Sequence, residues 1–300
     1  MLEITDLIVD CDPDTLERRP VRRDAVVEKL RSLGQRKAAK LVSRLPARDG
    51  ILDEAHVDAL FVSAHSELQR LEEEFLQGDR VRSLLAPLIE VLRDAKVPAP
   101  YRVVDVGCGL GYVTRWLAAR GNLGADVELY GCDYNRALVA AAAEAAKGEG
   151  LRCEFKVANA FRLADPATIF TSSGFVHHFR GPHLAQMFRE QDAAGAQAVL
   201  HFDVKRTWLA PLGAWLFHES RMREAIARHD GTLSAMRAHS SQTLLGASRE
   251  GAAGLRFTLF DGKVGLFPIL RTMQALVGVR PQWAAALTAK LNTQRLGAFA

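Results

Sequence analysis

Long apolar runs are missing from this 300-residue sequence, and none approaches the roughly 18 to 20 residues that a membrane-crossing helix needs. Cysteine is scarce. Cys11, Cys108, Cys132 and Cys153 are the four, with no C-x-x-C pair among them, so neither a disulfide framework nor a thiolate zinc site is expected. Neither sign of charge dominates, because 39 Lys and Arg oppose 35 Asp and Glu. That balance gives no general argument for nucleic acid. The first residues include Glu3, Asp6 and Asp10 rather than the basic start of a secretory signal. A reduced, cytoplasmic protein is the expectation. No G-x-S-x-G or Walker-type run is present, which disfavours hydrolase and nucleotide-triphosphatase chemistry. Internal repeats and low-complexity segments are also absent.

What remains is an ordinary globular composition, long enough for one large domain or for a main domain with an accessory one. Residues 1–97 read as a helical accessory or lid region. Val26, Leu30, Leu33, Leu41 and Leu45 keep helical spacing up to Pro46. A second helix starts at the capping residue Asp53 and aligns Val57, Leu60, Phe61, Ala64, Leu68 and Leu71 on one face. A third spans about 79–94 and contains Pro87, a potential kink. Basic residues crowd the first part of this region, from Arg18 to Arg48, and acidic residues crowd the second, from Asp53 to Glu74. An RNA-binding arm is one reading. Two solvated helix faces that partly neutralise each other are the preferred one, because no aromatic residue interleaves with the basic run.

From residue 101 the rhythm changes to strand and helix in alternation. Strands are predicted near 103–104, 127–133, 153–157, 168–171 and 198–204, with helices at 112–120, 136–147 and 183–193. Such alternation argues for a parallel sheet with right-handed crossovers. About fifty residues then precede the next strand-like run, 255–260. The stretch 205–254 opens with Trp208, Leu212, Trp215, Leu216 and Phe217. It reads either as an inserted helical cap over the strand ends or as a crossover helix with extra packing. A turn over 262–266 is expected to lead into a last, antiparallel edge strand.

The densest signal is Val103-Val-Asp-Val-Gly-Cys-Gly-Leu-Gly111. A strand, a glycine turn and a helix form a nucleotide-binding entry, in which glycines admit close backbone approach and a helix N-terminus offers free N–H groups. The third glycine falls one residue earlier than in the dinucleotide fingerprint G-x-G-x-x-G, since position 112 is Tyr. With Asp105 two positions ahead of Gly107, Gly109 and Gly111, the stretch resembles motif I of the class I S-adenosylmethionine (SAM) methyltransferases. The resemblance covers 101–204 well and 255–268 weakly.

That resemblance implies a doubly wound, mostly parallel, seven-stranded α/β sheet over residues 98–300. It joins the N-terminal helical region and the inserted cap at 205–254. It also implies SAM as cofactor, with S-adenosylhomocysteine (SAH) as product. Asp105, Gly107, Cys108, Gly109 and Gly111 would form the cofactor loop. Asp133, at the second strand's end, can accept both ribose hydroxyls through its two oxygens. Tyr134 would pack on the adenine, and Asn159 with Ala160 would meet its edge, Asn standing where the family commonly has Asp. Ser172 belongs to the small polar run after the fourth strand. Thr168 replaces an acid that the family usually carries there. His177 and His178 follow, and either can take a proton from an acceptor hydroxyl or amine. A metal site built from His177, His178, His183 and His201 is not expected, because adjacent histidines diverge and no acid or thiolate is close in sequence.

The reaction implied is methyl transfer to a hydroxyl, amine or carbon of a small-molecule acceptor. One alternative is methylation of RNA or protein through the basic front helix, although an N-P-P-Y or D-P-P-Y motif is absent. Another is a SAM-binding regulatory protein without turnover.

Overall fold

Seven strands realise the predicted alternation in the computed structural model, which describes residues 2–261 and 273–293. They are β1 (Tyr101–Val106), β2 (Val127–Asp133), β3 (Glu154–Val157), β4 (Ile169–Ser173), β5 (Ala198–Val204), β6 (Arg256–Asp261) and β7 (Met273–Val279). Their order in the sheet is β6-β7-β5-β4-β1-β2-β3. The first five run parallel, while β7 pairs antiparallel with β5 and with β6. The expected turn over 262–266 lies outside the described residues; the expected last strand is β7, which pairs antiparallel with β6 at the sheet's edge. Chain order reverses between β1 and β4, so the carboxyl ends of these two strands open a crevice of the kind that binds ligands in doubly wound sheets.

The helices, in chain order, begin with the short α1 (Thr5–Ile8), α2 (Arg23–Ser32) and α3 (Arg36–Val42). Two long ones follow, α4 (Glu54–Glu74) and α5 (Gln77–Asp94), then α6 (Tyr112–Arg120), α7 (Arg136–Gly148) and α8 (Pro182–Ala193). The last four are α9 (Ala210–Arg221), α10 (Ala225–Arg237), α11 (Ser241–Gly251) and α12 (Pro281–Thr293). Two minor antiparallel ladders pair 10–11 with 18–19 and 47–48 with 51–52.

Period-two burial along the strands sends alternate residues to opposite layers. Val103, Ile169, Leu200 and Val277 pack with Leu84, Leu85 and Leu88 of α5 and with Leu287 of α12. Val104, Phe170, Val199 and Leu276 face α8 and α11 through Leu184, Phe188 and Leu244. Helix α5, inside the predicted front region, thus shares a core with the sheet. Ahead of it, Ile4, Ile8, Leu30, Val42, Val57 and Phe61 form a separate apolar cluster that also takes in Leu138 and Ile226.

One front helix was expected across 26–45, and two are present. Gly34, at φ +75°, breaks the run: its N–H donates to the Arg31 carbonyl at 2.9 Å and that of Gln35 to Leu30 at 2.8 Å. This Schellman closure needs a left-handed residue, which glycine adopts without a Cβ penalty. The second expected helix begins as read, with Asp53 Oδ1 accepting from the His56 N–H at 2.7 Å. The 205–254 stretch divides. Helix α10 packs on α4 through Met222, Ala227 and Ala64, whereas α11 lies against α8 as a flanking helix. Trp208, Leu212, Trp215 and Leu216 are exposed, and α9 buries none of its residues.

Candidate functional site

After β1 the chain turns through Gly107, Cys108 and Gly109 and enters α6. The N–H groups of Gly107 and Cys108 both donate to the Cys132 carbonyl, at 2.8 and 3.0 Å, which pins the turn to β2. Gly109 sits at φ +54° and donates its N–H to Asp133 Oδ2 at 3.1 Å. A Cβ there would lie 2.9 Å from His65 Cδ2 of α4, so geometry and crowding both demand glycine. The Cys108 thiol is enclosed, and burial pushes it well above the ordinary thiol range.

Asp105 lies beneath the turn. Thr114 Oγ1 and Thr171 Oγ1 donate to its two oxygens at 3.2 and 3.3 Å. Burial nonetheless pushes its carboxyl up to about 7. Glu72 of α4 enters the same space. Burial first, and the Asp105 charge second, push it up to about 8, against a hydrogen bond with Ser173. Two carboxyl groups are therefore near one another at the carboxyl end of the central strand β1, a low-dielectric position where their charged forms are disfavoured.

Asp133 closes β2. Beyond the Gly109 contact, its Oδ1 accepts from the Asn135 N–H at 2.9 Å. Burial raises its carboxyl and lowers the neighbouring His65, which also contacts the Phe61 carbonyl at 2.9 Å through Nδ1. Each carboxylate oxygen has a second lone pair, so Asp133 keeps acceptor capacity after both backbone contacts. Tyr134 is 38% exposed beside it. Asn159 is held between a donor and an acceptor: its Oδ1 accepts from Phe161 N–H and its Nδ2 donates to Pro13 O, both at 2.9 Å. A cavity of about 260 Å³ opens beside Asn159 and Ala158, floored by Val104, Cys132 and Phe170. Ser172 does not join this group. It is buried, and its Oγ contacts His201 Nδ1 at 2.8 Å; His201 Nε2 meets Gln191 Oε1 at 2.9 Å.

The histidine pair stands on the other flank, after β4. Asp203, at the end of β5, contacts His177 twice: Oδ2 accepts the backbone N–H at 2.7 Å and Oδ1 meets Nδ1 at 2.8 Å. Although burial acts upward on Asp203, His177 holds its carboxyl below the usual range. His178 Nδ1 lies 3.1 Å from Asp6 Oδ1 and 3.6 Å from Glu3 Oε2. Burial pushes Glu3 up to about 7. Against that same upward push, the hydrogen bond and charge of His178, followed by those of Arg237, hold Asp6 down to about 2. His178 also borders a cavity of about 540 Å³ with Phe161, Phe179 and His183.

Residues 103–194 match the family model described as a methyltransferase domain. This segment is a methyltransferase domain. No curated protein sequence matches the chain. Among solved structures, the methyltransferase fold is shared with the plantazolicin methyltransferase BamL, crystallised with a triazolic desmethylPZN analogue and SAH. The two are 13% identical at a TM-score of 0.51, over 74% of this chain and 96% of that one. Magnesium protoporphyrin IX methyltransferase (ChlM) from Synechocystis PCC 6803, with bound SAH, is 15% identical at a TM-score of 0.45, over 86% of this chain and 99% of that one. A SAM-dependent methyltransferase from Aquifex aeolicus is 17% identical at a TM-score of 0.42, over 65% of this chain and 90% of that one.

Two observations fit the turn to SAM, the cofactor that the sequence resemblance implies. A Cβ at Gly107 would lie 2.1 Å from Phe175 Cδ2 and one at Gly109 2.9 Å from His65 Cδ2, and Asp133 offers unused acceptor capacity at the strand end. Sequence reasoning missed His65, Glu72, Glu3, Asp6 and Asp203. Asp203 had a signal, a carboxylate inside the apolar run of β5. Glu72 follows directly on the apolar face that ends at Leu71. Glu3 had none, being brought to the histidines from 174 positions away in sequence.

Proposed function

We propose that this methyltransferase acts on a small-molecule acceptor seated between the SAM loop and the His177–His178 pair. The observation that carries the reading is the cavity of about 540 Å³ beside His178. It falls within the ~300–1,000 Å³ range of small-molecule sites and carries the apolar rings of Phe161 and Phe179 with a few polar groups. When bound, SAM supplies a methyl carbon already activated by its sulfonium charge. The turn 105–111 and Asp133 would hold the amino-acid and ribose parts of the cofactor, and Tyr134, Asn159 and Ala160 the adenine. Helix α4, carrying His65 and Glu72, would roof the loop, and residues 2–6 would cover the histidines. Residues 1–97 and the 205–237 helices would then serve as lid and cap. Alignment of acceptor and methyl group under such a roof, with water kept out, can supply much of the acceleration. We assign activation of the acceptor to the His177–His178 pair.

BamL, which holds a small-molecule analogue and SAH together, lends the reading support. Arg18, Arg19 and Arg22 are paired with Asp58, Asp12 and Asp24, which leaves a weaker basic face for RNA than the sequence run alone presents. Calorimetry with SAM on wild type and Asp133→Ala, followed by a methyl-release assay across acceptors, tests the proposal. Wild type is expected to bind and the variant to bind at least tenfold more weakly, the scale of one lost charge-assisted hydrogen bond. Equal affinities would sink the ribose assignment. Binding without turnover on small molecules, together with salt-sensitive RNA binding lost on neutralising Arg18 and Arg19, would overturn the acceptor class.

A further inference from the structure

We propose that Glu3, His177 and His178 form a binding site for a divalent first-row transition-metal ion at the acceptor end of the cleft. One donor atom from each residue lies within 4.8 Å of the other two. Glu3 Oε1 is 3.9 Å from His177 Nε2, and Glu3 Oε2 is 3.6 Å from His178 Nδ1, a nitrogen that would release its proton and its 3.1 Å contact with Asp6 on taking the ion. The two imidazole rings lie face over face, 4.4 Å between centroids and 30° between planes. The divergence expected of adjacent histidines is thus removed by the 3₁₀ turn over Val176–His178. Ligand bonds of about 2.0–2.2 Å set donor–donor separations of roughly 3–3.5 Å, so closure from separations of up to 4.8 Å needs side-chain movements on the order of an ångström.

His177 makes the case independently of that proximity. Its side chain is 4% exposed, and Nε2 is buried with no hydrogen-bond partner among the described residues. Leaving a buried polar atom unpaired is costly, so a partner at this position is strongly favoured. With Nδ1 committed to Asp203, Nε2 presents its lone pair toward Glu3. A carboxylate behind one ring nitrogen and a free lone pair on the other is the arrangement by which proteins orient metal-binding histidines. Glu3 is supported in the same manner, accepting from Ser234 Oγ at 3.1 Å with Arg237 Nη1 at 3.3 Å.

Charge argues the same way. The groups around the histidines are Glu3, Asp6 and Asp203 against the guanidinium of Arg237, which also bonds Asp6, and that of Arg180, which lines the same cavity. Asp230, one layer out, is engaged by the N–H groups of Ile4 and Thr5. Ionised, the three carboxylates exceed the two guanidiniums by one charge. Two imidazoles and a carboxylate suit zinc, iron, cobalt or nickel rather than magnesium or calcium, which prefer all-oxygen shells. Three protein ligands leave coordination positions open, and His178 borders the cavity assigned to the acceptor. Resting on the function proposed above, the ion would hold an acceptor oxygen there and lower its proton affinity.

The test is zinc calorimetry on the full chain after dialysis against a chelator, with SAM calorimetry on the same preparations. About one equivalent of Zn²⁺ is expected for wild type. At least tenfold weaker binding is expected for Glu3→Gln and for His177→Asn, and a 10–100-fold loss for Asp203→Asn. Glu3→Gln preserves shape, so an unchanged melting temperature without metal shows that the loss is not unfolding. No zinc binding by wild type, or binding unchanged in Glu3→Gln, overturns the site. If SAM still binds in that case, the methyltransferase reading stands and only the metal falls.

Discussion

Glu72 offers the sharpest check on how α4 meets the sheet. Its carboxyl rises from an ordinary 4.5 to about 8, through burial first and the Asp105 charge second. Asp105 titrates nearer 7, so it is ionised before Glu72 and repels the second charge. A carboxyl raised in the folded state binds a proton that the unfolded chain has already released. Its stabilising contribution is therefore complete below 4.5 and is lost as pH rises through 8. At about 1.36 kcal/mol per unit, the interval from about pH 5 to pH 8 should cost the folded state on the order of 3 kcal/mol from Glu72 alone. In Glu72→Gln the neutral amide keeps the shape and removes this titration. Urea unfolding followed by circular dichroism at several pH values through that interval would measure both proteins. The wild-type stability should fall about 3 kcal/mol further than that of the variant. Parallel stability curves for the two proteins would show that Glu72 ionises freely, and would refute the enclosed carboxyl pair.

Gly109→Ala places a Cβ 2.9 Å from His65 Cδ2 at a φ of +54°. It should lose roughly 1–3 kcal/mol of stability and weaken SAM binding at least tenfold, by melting and calorimetry; an unaffected variant would contradict the crowded turn. Asp230→Ala removes the carboxylate that accepts from Ile4 N–H, Thr5 N–H and Thr5 Oγ1, each at 2.9 Å. Limited proteolysis should then clip the first residues faster, with a stability loss of roughly 1–3 kcal/mol. Unchanged cleavage would mean that the segment is held by the burial of Ile4 and Ile8 instead.

Much of the sheet was legible because its signals are local. The strand ends at Asp133 and Val204 and the helix over 112–120 were read within a residue or two, since the apolar runs of the strands are short and Gly111 and Gly121 bound the helix. The glycine turn was legible because its chemistry lies within nine consecutive residues. The front region was read less well, for Gly34 sits inside an apolar periodicity that spans both α2 and α3. Ser172 was placed with the cofactor residues, yet its hydroxyl turns to His201. Which face of β4 a polar residue presents depends on the neighbouring strand, through a partner 29 positions away.

By itself the sequence determined the alternation of strands and helices, the glycine turn and the acids at its edges, because each follows from residues close together along the chain. Tertiary structure alone decided what surrounds them. It set His65 against Gly109, Glu72 against Asp105, Asp203 behind His177, and Glu3 over both histidines. Those contacts join segments up to 175 positions apart, where apolar packing of α4 and α1 fixes the approach and no local pattern records the partner.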